Sequence, residues 1–475
     1  MKNKYSSAAK YILLVSPLVL GIAGYYFIDG RPFLQSLYVS LKLYYFGSED
    51  MPPNTVIEIA RWLGPVATAS GFVMVLQFLR RGLHNCFAYI KGDSTAVYGS
   101  DAAKLPLLEQ LGANGIDGHS SFVRAHRYIL LNGEEENLAF FDKYRKEIGG
   151  KPVYAQCGQT SAQAVSAHNL RLFCSEETAA AVFWKQHCIY ALSKQHSHQL
   201  KIAFIGFGKL GKEVLLSAVQ NNIFSPQQQI DYHIFGEAEG FCNIYHQLKQ
   251  IDDNIIFHYK QWYEQIDFIN SMDMVVVLSQ ENQPDLVRKL LLSTECEKLY
   301  VFYAAQYSEN LLENSSRVVN FRWKDVAQKP ENIIESSLFE AAKKINLRYA
   351  SLYGGVEITE ANKDAEWQKL DTFTRYSNIS AADYHSIQKE IIKQENQGPD
   401  LENISSGLLE TLAELEHIRW CRYHYLNNWK YGQTPNGTKD RQKRIHPDLV
   451  PYSQLSEGEK DKDRENIRIL FSLDK

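Results

Sequence analysis

Three glycines near the middle of the 475-residue chain have the spacing of a phosphate-binding turn. Gly206, Gly208 and Gly211 follow an apolar run at residues 201–205 and precede a helical pattern at residues 212–221. In this setting the first glycine makes the turn, the second lets the backbone approach a phosphate, and the third packs the helix on the strand. The helix N-terminus then faces the phosphate charge. The pattern predicts a nucleotide-binding site.

Lys209 and Glu237 complete this predicted site. Lys209 lies inside the glycine motif, and Glu237 follows a second strand pattern at residues 229–235, where an acidic side chain accepts hydrogen bonds from a ribose. Its distance from the glycines is longer than usual because residues 223–229 read as an inserted loop. NAD(H) or another nucleotide is therefore the predicted ligand. The alternative is a scaffold that has kept its turn and lost its ligand.

The sequence contains no recognisable catalytic constellation. The seven cysteines are scattered and form no C-x-x-C pair, which argues against both a zinc site and a disulfide framework. We find no nucleophile with an adjacent base and no paired carboxylates, so we predict a protein that is not an enzyme and that holds no metal. An NAD-dependent enzyme is the weakest alternative. The net charge of −4 argues against binding of bulk nucleic acid.

Strand and helix patterns alternate on both sides of the glycine motif, which predicts two parallel, doubly wound sheets. The other predicted strands lie at residues 94–99, 126–131, 152–156, 170–174, 272–278 and 298–303. The strands that precede the glycine motif form the first module. It has a single glycine, Gly99, at the expected turn, and Asp101 follows where a phosphate would lie. We expect this first module to bind no dinucleotide, or to bind something different.

The first eighty residues predict a membrane module. Residues 11–28 and 62–79 are uncharged apolar runs, each long enough to cross most of a bilayer core. A cleaved signal peptide is the alternative for the first run. Lysines and arginines flank the outer ends of both runs, so we expect a multi-pass protein of the inner (cytoplasmic) membrane with both termini in the cytoplasm.

The segment between the two runs is too apolar for an ordinary loop. Residues 32–46 begin with a proline and predict a short re-entrant helix that returns through residues 46–50. This order resembles the two-span pore module of potassium channels over about residues 9–81. The resemblance implies a pore lined near Tyr44, Tyr45, Phe46 and Gly47, with one glycine where those channels have two, so potassium selectivity is not implied. Gly64 is interpreted either as a kink or gating position or as a small residue for close packing.

The C-terminal residues are rich in aromatic and basic side chains. An E-H-x-R-W helix at residues 416–420, a W-x-Y-G turn at 429–432 and an H-P-x-L-V-P-Y segment at 446–452 occur in order. Together they resemble the ryanodine-receptor repeat (RyR domain) over about residues 407–470. Aromatic rings can stack on a nucleobase, and positively charged side chains beside them can bind its phosphate. The candidate ligand residues are His417, Arg419, Trp420, Trp429, Tyr431, Lys443 and Arg444. In the alternative, the tryptophans form a small core.

These patterns predict an α-helical two-span membrane module plus α/β: two Rossmann-like, parallel, doubly wound domains, and then a small, mainly α RyR-like domain. The predicted boundaries are 1–84 for the membrane module, 91–198 and 199–330 for the Rossmann-like domains, 331–400 for a helical connector and 401–475 for the RyR-like domain.

A pore followed by two such domains resembles potassium channels and transporters that are regulated by Trk-type (RCK-like) NAD-binding domains. The resemblance implies a homo-oligomer, dimer or tetramer, in a lipid bilayer, in which a small nucleotide acts as an effector on an ion-channel-like pore. The alternative is a non-conducting, membrane-anchored nucleotide sensor or scaffold, for example in an antiviral signalling system.

Overall fold

The computed structural model describes residues 2–45, 54–119, 121–158, 169–238, 240–303, 316–334, 337–395, 404–435 and 437–472. They form two compact units that meet in the sequence between Ser94 and Thr95.

The N-terminal unit is helical. Its elements are α1 (Lys2–Ile22), which continues as a π-helix (Ala23–Ile28), α2 (Phe33–Lys42), which ends in a 3₁₀ turn (Leu43–Tyr45), and α3 (Thr55–Ile90). Asn54 caps the start of α3, because its Oδ1 accepts a hydrogen bond from the amide of Ile57. Its Nδ2 donates to the carbonyl of Gly24 and so joins α3 to the first helix. The short helix predicted between the two apolar runs is therefore present as α2. Residues 85–90, between the predicted boundaries of the membrane module and the first Rossmann-like domain, continue α3.

Small residues let α2 and its turn pack against both long helices. A Cβ at Gly21 would lie 2.6 Å from Ser40 Oγ, and one at Gly64 would overlap the carbonyl oxygen of Leu43. Thr68 Oγ1 also donates to the carbonyl of Tyr44, at 2.8 Å. Of the two interpretations of Gly64, the geometry favours close packing.

One helix in the described part of the chain is long and apolar enough to cross a membrane. It is the Thr55–Leu76 stretch of α3, with a mean hydropathy of 1.4, whereas Ile12–Ile28 is a shorter apolar helix. The two-span arrangement therefore stays a prediction. Many large apolar side chains of this unit are exposed: Ile12, Val19, Phe27, Trp62, Val66 and Phe72.

The first sheet has five parallel strands. They are β1 (Thr95–Tyr98), β2 (Gly115–Asp117), β3 (Arg127–Leu130), β4 (Val153–Gln156) and β5 (Leu170–Phe173). The helices are α4 (Asp101–Leu111), α5 (Glu134–Lys143), α6 (Arg145–Ile148), α7 (Ser175–Gln186) and α8 (Tyr190–Gln195). The strand order β2-β1-β3-β4-β5 is that of flavodoxin-like sheets.

The second sheet has six parallel strands. They are β6 (Gln199–Ile205), β7 (Gln229–Phe235), β8 (Asn254–His258), β9 (Met274–Val277), β10 (Leu299–Phe302) and β11 (Val318–Phe321). The helices are α9 (Lys209–Asn221), α10 (Phe241–Ile244), α11 (Ile266–Asn270), α12 (Gln283–Ser293), α13 (Trp323–Ala327) and α14 (Pro330–Ile333). The order β8-β7-β6-β9-β10-β11 is that of the Rossmann fold. The prediction of two parallel α/β sheets is confirmed.

Helix α7 follows the first sheet in sequence but packs on the second. The indole Nε1 of Trp184 donates to the carbonyl of Val214 in α9, at 3.0 Å. The neighbouring ring of Phe183 lies 4.5 Å from that of Phe302 at the end of β10, measured between centroids. Both side chains are fully buried. The second sheet therefore takes part of its core from the segment that precedes it.

The C-terminal helices pack on the second sheet as well. They are α15 (Ser337–Gly354), α16 (Glu360–Lys369), α17 (Thr372–Glu395), α18 (Ser406–Leu426) and α19 (Glu457–Ser472), with two short strands, β12 (Lys430–Tyr431) and β13 (Ile445–His446). Apolar side chains of α17 and α18 share one core with α9 and β6. Tyr384 Oη in α17 donates to the carbonyl of Ile223 just after α9, at 2.6 Å.

Candidate functional site

The glycine turn lies where the strand order of the second sheet reverses. Gly206 directly follows β6, which has β7 on one side and β9 on the other. Its φ is +96°, and a Cβ there would lie 2.5 Å from the amide nitrogen of Ser279 after β9. Its own amide donates to the carbonyl of Phe235 at the end of β7. Only glycine fits this position, at the crevice where Rossmann folds bind their ligands.

The next part of the turn is open. Gly208 precedes α9 without a side-chain cap, and a Cβ there would meet no heavy atom within 4 Å. Phe207 turns away and packs on Phe241, with ring centroids 5.1 Å apart. At Gly211 a Cβ would lie 3.0 Å from the Gly206 carbonyl oxygen, so the helix packs closely on the turn. An uncapped helix N-terminus beside open space can accommodate a phosphate.

Lys209 and Glu237 border this turn. Gly236 packs against it, since a Cβ at Gly236 would lie 2.7 Å from the Phe207 amide nitrogen, and this places the exposed Glu237 next to the turn. Lys209 Nζ lies 3.0 Å from Glu176 Oε1 in α7. Burial opposes the charge of Lys209, but the hydrogen bond to Glu176 outweighs it and raises the pKa of Lys209. The structure therefore brings the predicted residues of this site together.

Beside β9 and β10, the same edge of the sheet is covered by the side-chain amides of two glutamines that sequence patterns did not reveal. Gln280 and Gln283 both donate to the carbonyl of Phe302, at 2.8 and 2.7 Å. Trp323 Nε1 donates to Gln280 Oε1 at 3.3 Å. The open part of the edge is therefore the part around β6 and β7.

In the first sheet, the charged side chains near the carboxyl ends of β1 and β2 pair with one another. Lys104 in α4 is buried, and its Nζ lies 2.7 Å from Asp117 and 3.1 Å from Asp101. Burial opposes its charge, but the hydrogen bonds to both carboxylates outweigh it and raise the pKa of Lys104.

The residues predicted to line a pore are described in part. Tyr44 Oη donates to the carbonyl of Leu14 at 2.6 Å, which joins the turn after α2 to α1. Tyr45 is 82% exposed. Phe46 and Gly47 lie outside the described residues.

Two of the predicted C-terminal ligand residues bind protein groups. The His417 Nε2 lies 2.8 Å from the carbonyl oxygen of Val450, and its Nδ1 lies 3.4 Å from Asp463. Arg419 donates to both carboxylate oxygens of Glu416, at 2.7 and 2.9 Å. Both side chains are buried. Their positive charges are therefore compensated inside the fold.

The predicted tryptophans belong to an aromatic cluster with two histidines, His424 and His446, that were not among the predicted ligand residues. Trp420 lies 4.0 Å from His424 and 4.8 Å from His446, between ring centroids, and Trp429 lies 5.3 Å from His424. Trp420 is half-buried and Trp429 is buried. Burial lowers the pKa of His424 to about 3 and that of His446 to about 4. The sequence could have revealed His424, because it lies four residues after Trp420 and therefore on the same face of the helix.

The three remaining candidates lie on the surface. Tyr431, Lys443 and Arg444 are exposed in and beside the short β12–β13 pair. Arg444 also donates to the carbonyl of Asn427, at 3.2 Å.

The family model of the RyR domain matches residues 397–472. The C-terminal module is a RyR domain. A search of curated proteins finds no match for the chain. The predicted RyR-like segment is thus confirmed, whereas the resemblances to Trk-type domains and to a potassium-channel pore remain proposals.

The His417–Asp463 contact predicts that the RyR domain loses stability at alkaline pH. Burial disfavours the imidazolium, but hydrogen bonds to Asp463 and Cys421 outweigh it and raise the pKa of His417 to about 11. The stabilisation is complete below the unfolded value near 6.5 and is lost as the pH rises towards 11. Between pH 7 and 10 we expect the free energy of unfolding to fall by at least about 1 kcal/mol more in the wild type than in His417→Gln.

Thermal unfolding of the full chain at several pH values measures this difference. The exposed His246 provides the control, since His246→Gln should leave the wild-type slope unchanged. Equal slopes for the wild type and His417→Gln would show that His417 does not hold its proton as the geometry requires.

Proposed function

We propose that this chain is a nucleotide-regulated membrane protein, an ion-channel-like effector that is controlled by a nucleotide bound at the glycine turn of the second sheet. The observation that carries the proposal is the turn itself. Gly206 is confined between β7 and the loop after β9, and Gly208 leaves open space before the uncapped helix α9. This geometry suits a diphosphate, and Glu237 suits the attached ribose. NAD(H) or a related nucleotide is the proposed ligand.

Regulation rather than turnover is supported by the contacts around the turn. Lys209 is bound by Glu176, a residue of the helix that follows the first sheet. A phosphate at the turn would compete with Glu176 for this ammonium group. Binding would then change the contact between α7 and the glycine turn, both within the C-terminal unit, and a ligand that changes such a contact can shift a conformational equilibrium.

The RyR domain is joined to the same module by buried polar contacts. Arg422 Nη1 donates to Asp253 Oδ2 at 2.7 Å and to the carbonyl of Val219 at 3.0 Å. A ligand of the RyR domain, with Trp420 and Trp429 as candidate stacking residues, would act on the second sheet through this interface.

The membrane part of the proposal rests on α3 and on exposed apolar side chains. A stretch of α3 has the length and hydropathy of a span, and large apolar residues of α1 and α3 face outward in the single chain. Such surface requires lipid or other copies of the chain. We propose a homo-oligomer in the inner membrane with both termini in the cytoplasm.

Gly208→Asp tests the nucleotide site. The added carboxylate would enter the open space at the turn and repel a phosphate, so we expect affinity for NAD⁺ or NADH to fall at least about tenfold. Isothermal titration calorimetry on the purified full chain measures this. Gly150→Asp adds the same charge to an exposed loop where a Cβ meets no atom within 4 Å, and should bind as the wild type does. Unchanged affinity in Gly208→Asp would exclude this site.

Ion flux into liposomes separates the channel from the alternative. The wild type should conduct with a dependence on added nucleotide, and Gly208→Asp should lose that dependence. No flux under any nucleotide, together with normal nucleotide binding, would instead favour a membrane-anchored sensor or scaffold.

A further inference from the structure

A buried carboxyl group lies in α9, the helix that follows the glycine turn. Glu213 is in the second turn of α9, about 6 Å along the helix axis from Lys209, and is 5% exposed. Among the described residues no hydrogen-bond donor reaches its Oε1, and the Lys212 ammonium lies 3.7 Å away. A carboxylate buried with so little compensation favours its neutral form.

The groups that face Glu213 come from three elements. Helix α7 contributes Glu176 and Glu177, α9 contributes Lys209 and Lys212, and Cys174 lies at the end of β5. Because the Lys209 ammonium group forms an ion pair with Glu176, it compensates the charge of Glu213 only in part. Burial, followed by the charge of Glu177, raises the pKa of Glu213 to about 7.

The position of Glu213 links its charge to that of a ligand. A phosphate at the turn and an ionised Glu213 would be two negative charges separated by the first turns of one helix. Their repulsion disappears when Glu213 takes up a proton, whereas the diphosphate of NAD⁺ keeps its charge between pH 6 and 8.

We propose that Glu213 makes nucleotide affinity dependent on protons, so that the site binds an anionic nucleotide more tightly when this carboxyl group is neutral. The proposal rests on the proposed nucleotide site and adds a regulator to it. Acidification of the cytoplasm would then act in the same direction as a rise in nucleotide concentration.

Calorimetry with NAD⁺ at pH 6, 7 and 8 tests the linkage. We expect the wild-type Kd to rise about three- to tenfold from pH 6 to 8, within the limit of one proton per ligand. Glu213→Gln keeps the shape of the neutral side chain and should bind with nearly the same Kd at all three pH values. Glu136→Gln, the same change at an exposed position of α5, should keep the wild-type dependence.

Thermal unfolding provides a readout that needs no ligand. The pKa of Glu213 is raised on folding, so its neutral form stabilises the fold, and this stabilisation is lost as the pH rises from about 4.5 through 7. Glu213→Gln should therefore melt higher than the wild type at pH 8 and close to it at pH 5.

The outcomes separate the two proposals. Absence of NAD⁺ binding at every pH would overturn the nucleotide site. Binding with the same pH dependence in the wild type and Glu213→Gln, or equal melting of both at pH 8, would overturn the role of Glu213 while the nucleotide site stands.

Discussion

Arg422→Met is expected to destabilise the C-terminal unit, which begins at Thr95, by about 3–5 kcal/mol. Arg422 and Asp253 are both buried, and the guanidinium donates to this carboxylate and to the carbonyl of Val219. Methionine fills much of the space but leaves the Asp253 charge without its cation. Breaking a buried pair from one side costs more than the pair itself contributes, because an uncompensated charge stays in the interior.

Thermal unfolding of the full chain, followed by tryptophan fluorescence, measures this loss as a fall of about 4–6 °C in the midpoint. Arg441→Met is the matched control, since Arg441 pairs with Asp371 at the surface and should cost less than about 1 kcal/mol. Adding Asp253→Asn to Arg422→Met should recover part of the stability. A midpoint within 2 °C of the wild type for Arg422→Met, on the order of the surface-pair effect, would contradict a buried interface.

Gly206→Ala is expected to destabilise the second sheet by about 2–4 kcal/mol and to abolish nucleotide binding. The backbone at Gly206 has a φ of +96°, and the new methyl group would lie 2.5 Å from the amide nitrogen of Ser279. Because that neighbour is backbone, it cannot move aside as a side chain would. The turn and the loop after β9 must therefore separate, and the phosphate-binding geometry is lost.

Gly149→Ala is the control for conformation alone. Gly149 also has a positive φ, +61°, with a ψ of −135°, but a Cβ there meets no heavy atom within 4 Å, so this change should cost about 1–2 kcal/mol, less than Gly206→Ala. Melting temperatures and calorimetry with NADH compare the two variants. Equal costs would show that the contact with Ser279 is unimportant, and retained binding in Gly206→Ala would remove the turn from the site.

Local patterns predicted the central elements of the fold because those elements are long and regular. The strand β6 and helix α9 carry a strong apolar pattern with glycines between them, and β7 coincides with the predicted residues 229–235. The strands β2, β8 and β11 were missed. All three lie at sheet edges. Predicted strands of similar length, such as β9, are fully buried apolar runs, whereas β8 and β11 are mostly half-buried or exposed and contain polar residues, and β2 has only three residues. Such segments lack the continuous apolar run that identifies a buried strand.

The glycine turn and Lys209 could be predicted because these residues are neighbours in sequence, and Glu237 because it follows the next strand, β7. The partners of His417 and Arg419 could not. Asp463 lies on another helix, and the partner role of Glu416 depends on which face of α18 is buried. An aromatic and cationic pattern predicts a ligand pocket and an internal ion pair equally well, and only tertiary packing separates the two. The same holds for Glu176, which reaches Lys209 from a helix that precedes the second sheet.

The Arg422–Asp253 contact can form only late in the synthesis of the chain. Arg422 follows Asp253 by 169 residues, which a ribosome adds in roughly 8–34 s at 5–20 residues per second. During that interval the surface of α9 that α17 and α18 later cover is still open to water, and Asp253 has no guanidinium. The nascent module of the second sheet is therefore incomplete until the RyR domain emerges. A chain that terminates before α18 would release an unfinished core, an expected target of chaperones and proteases.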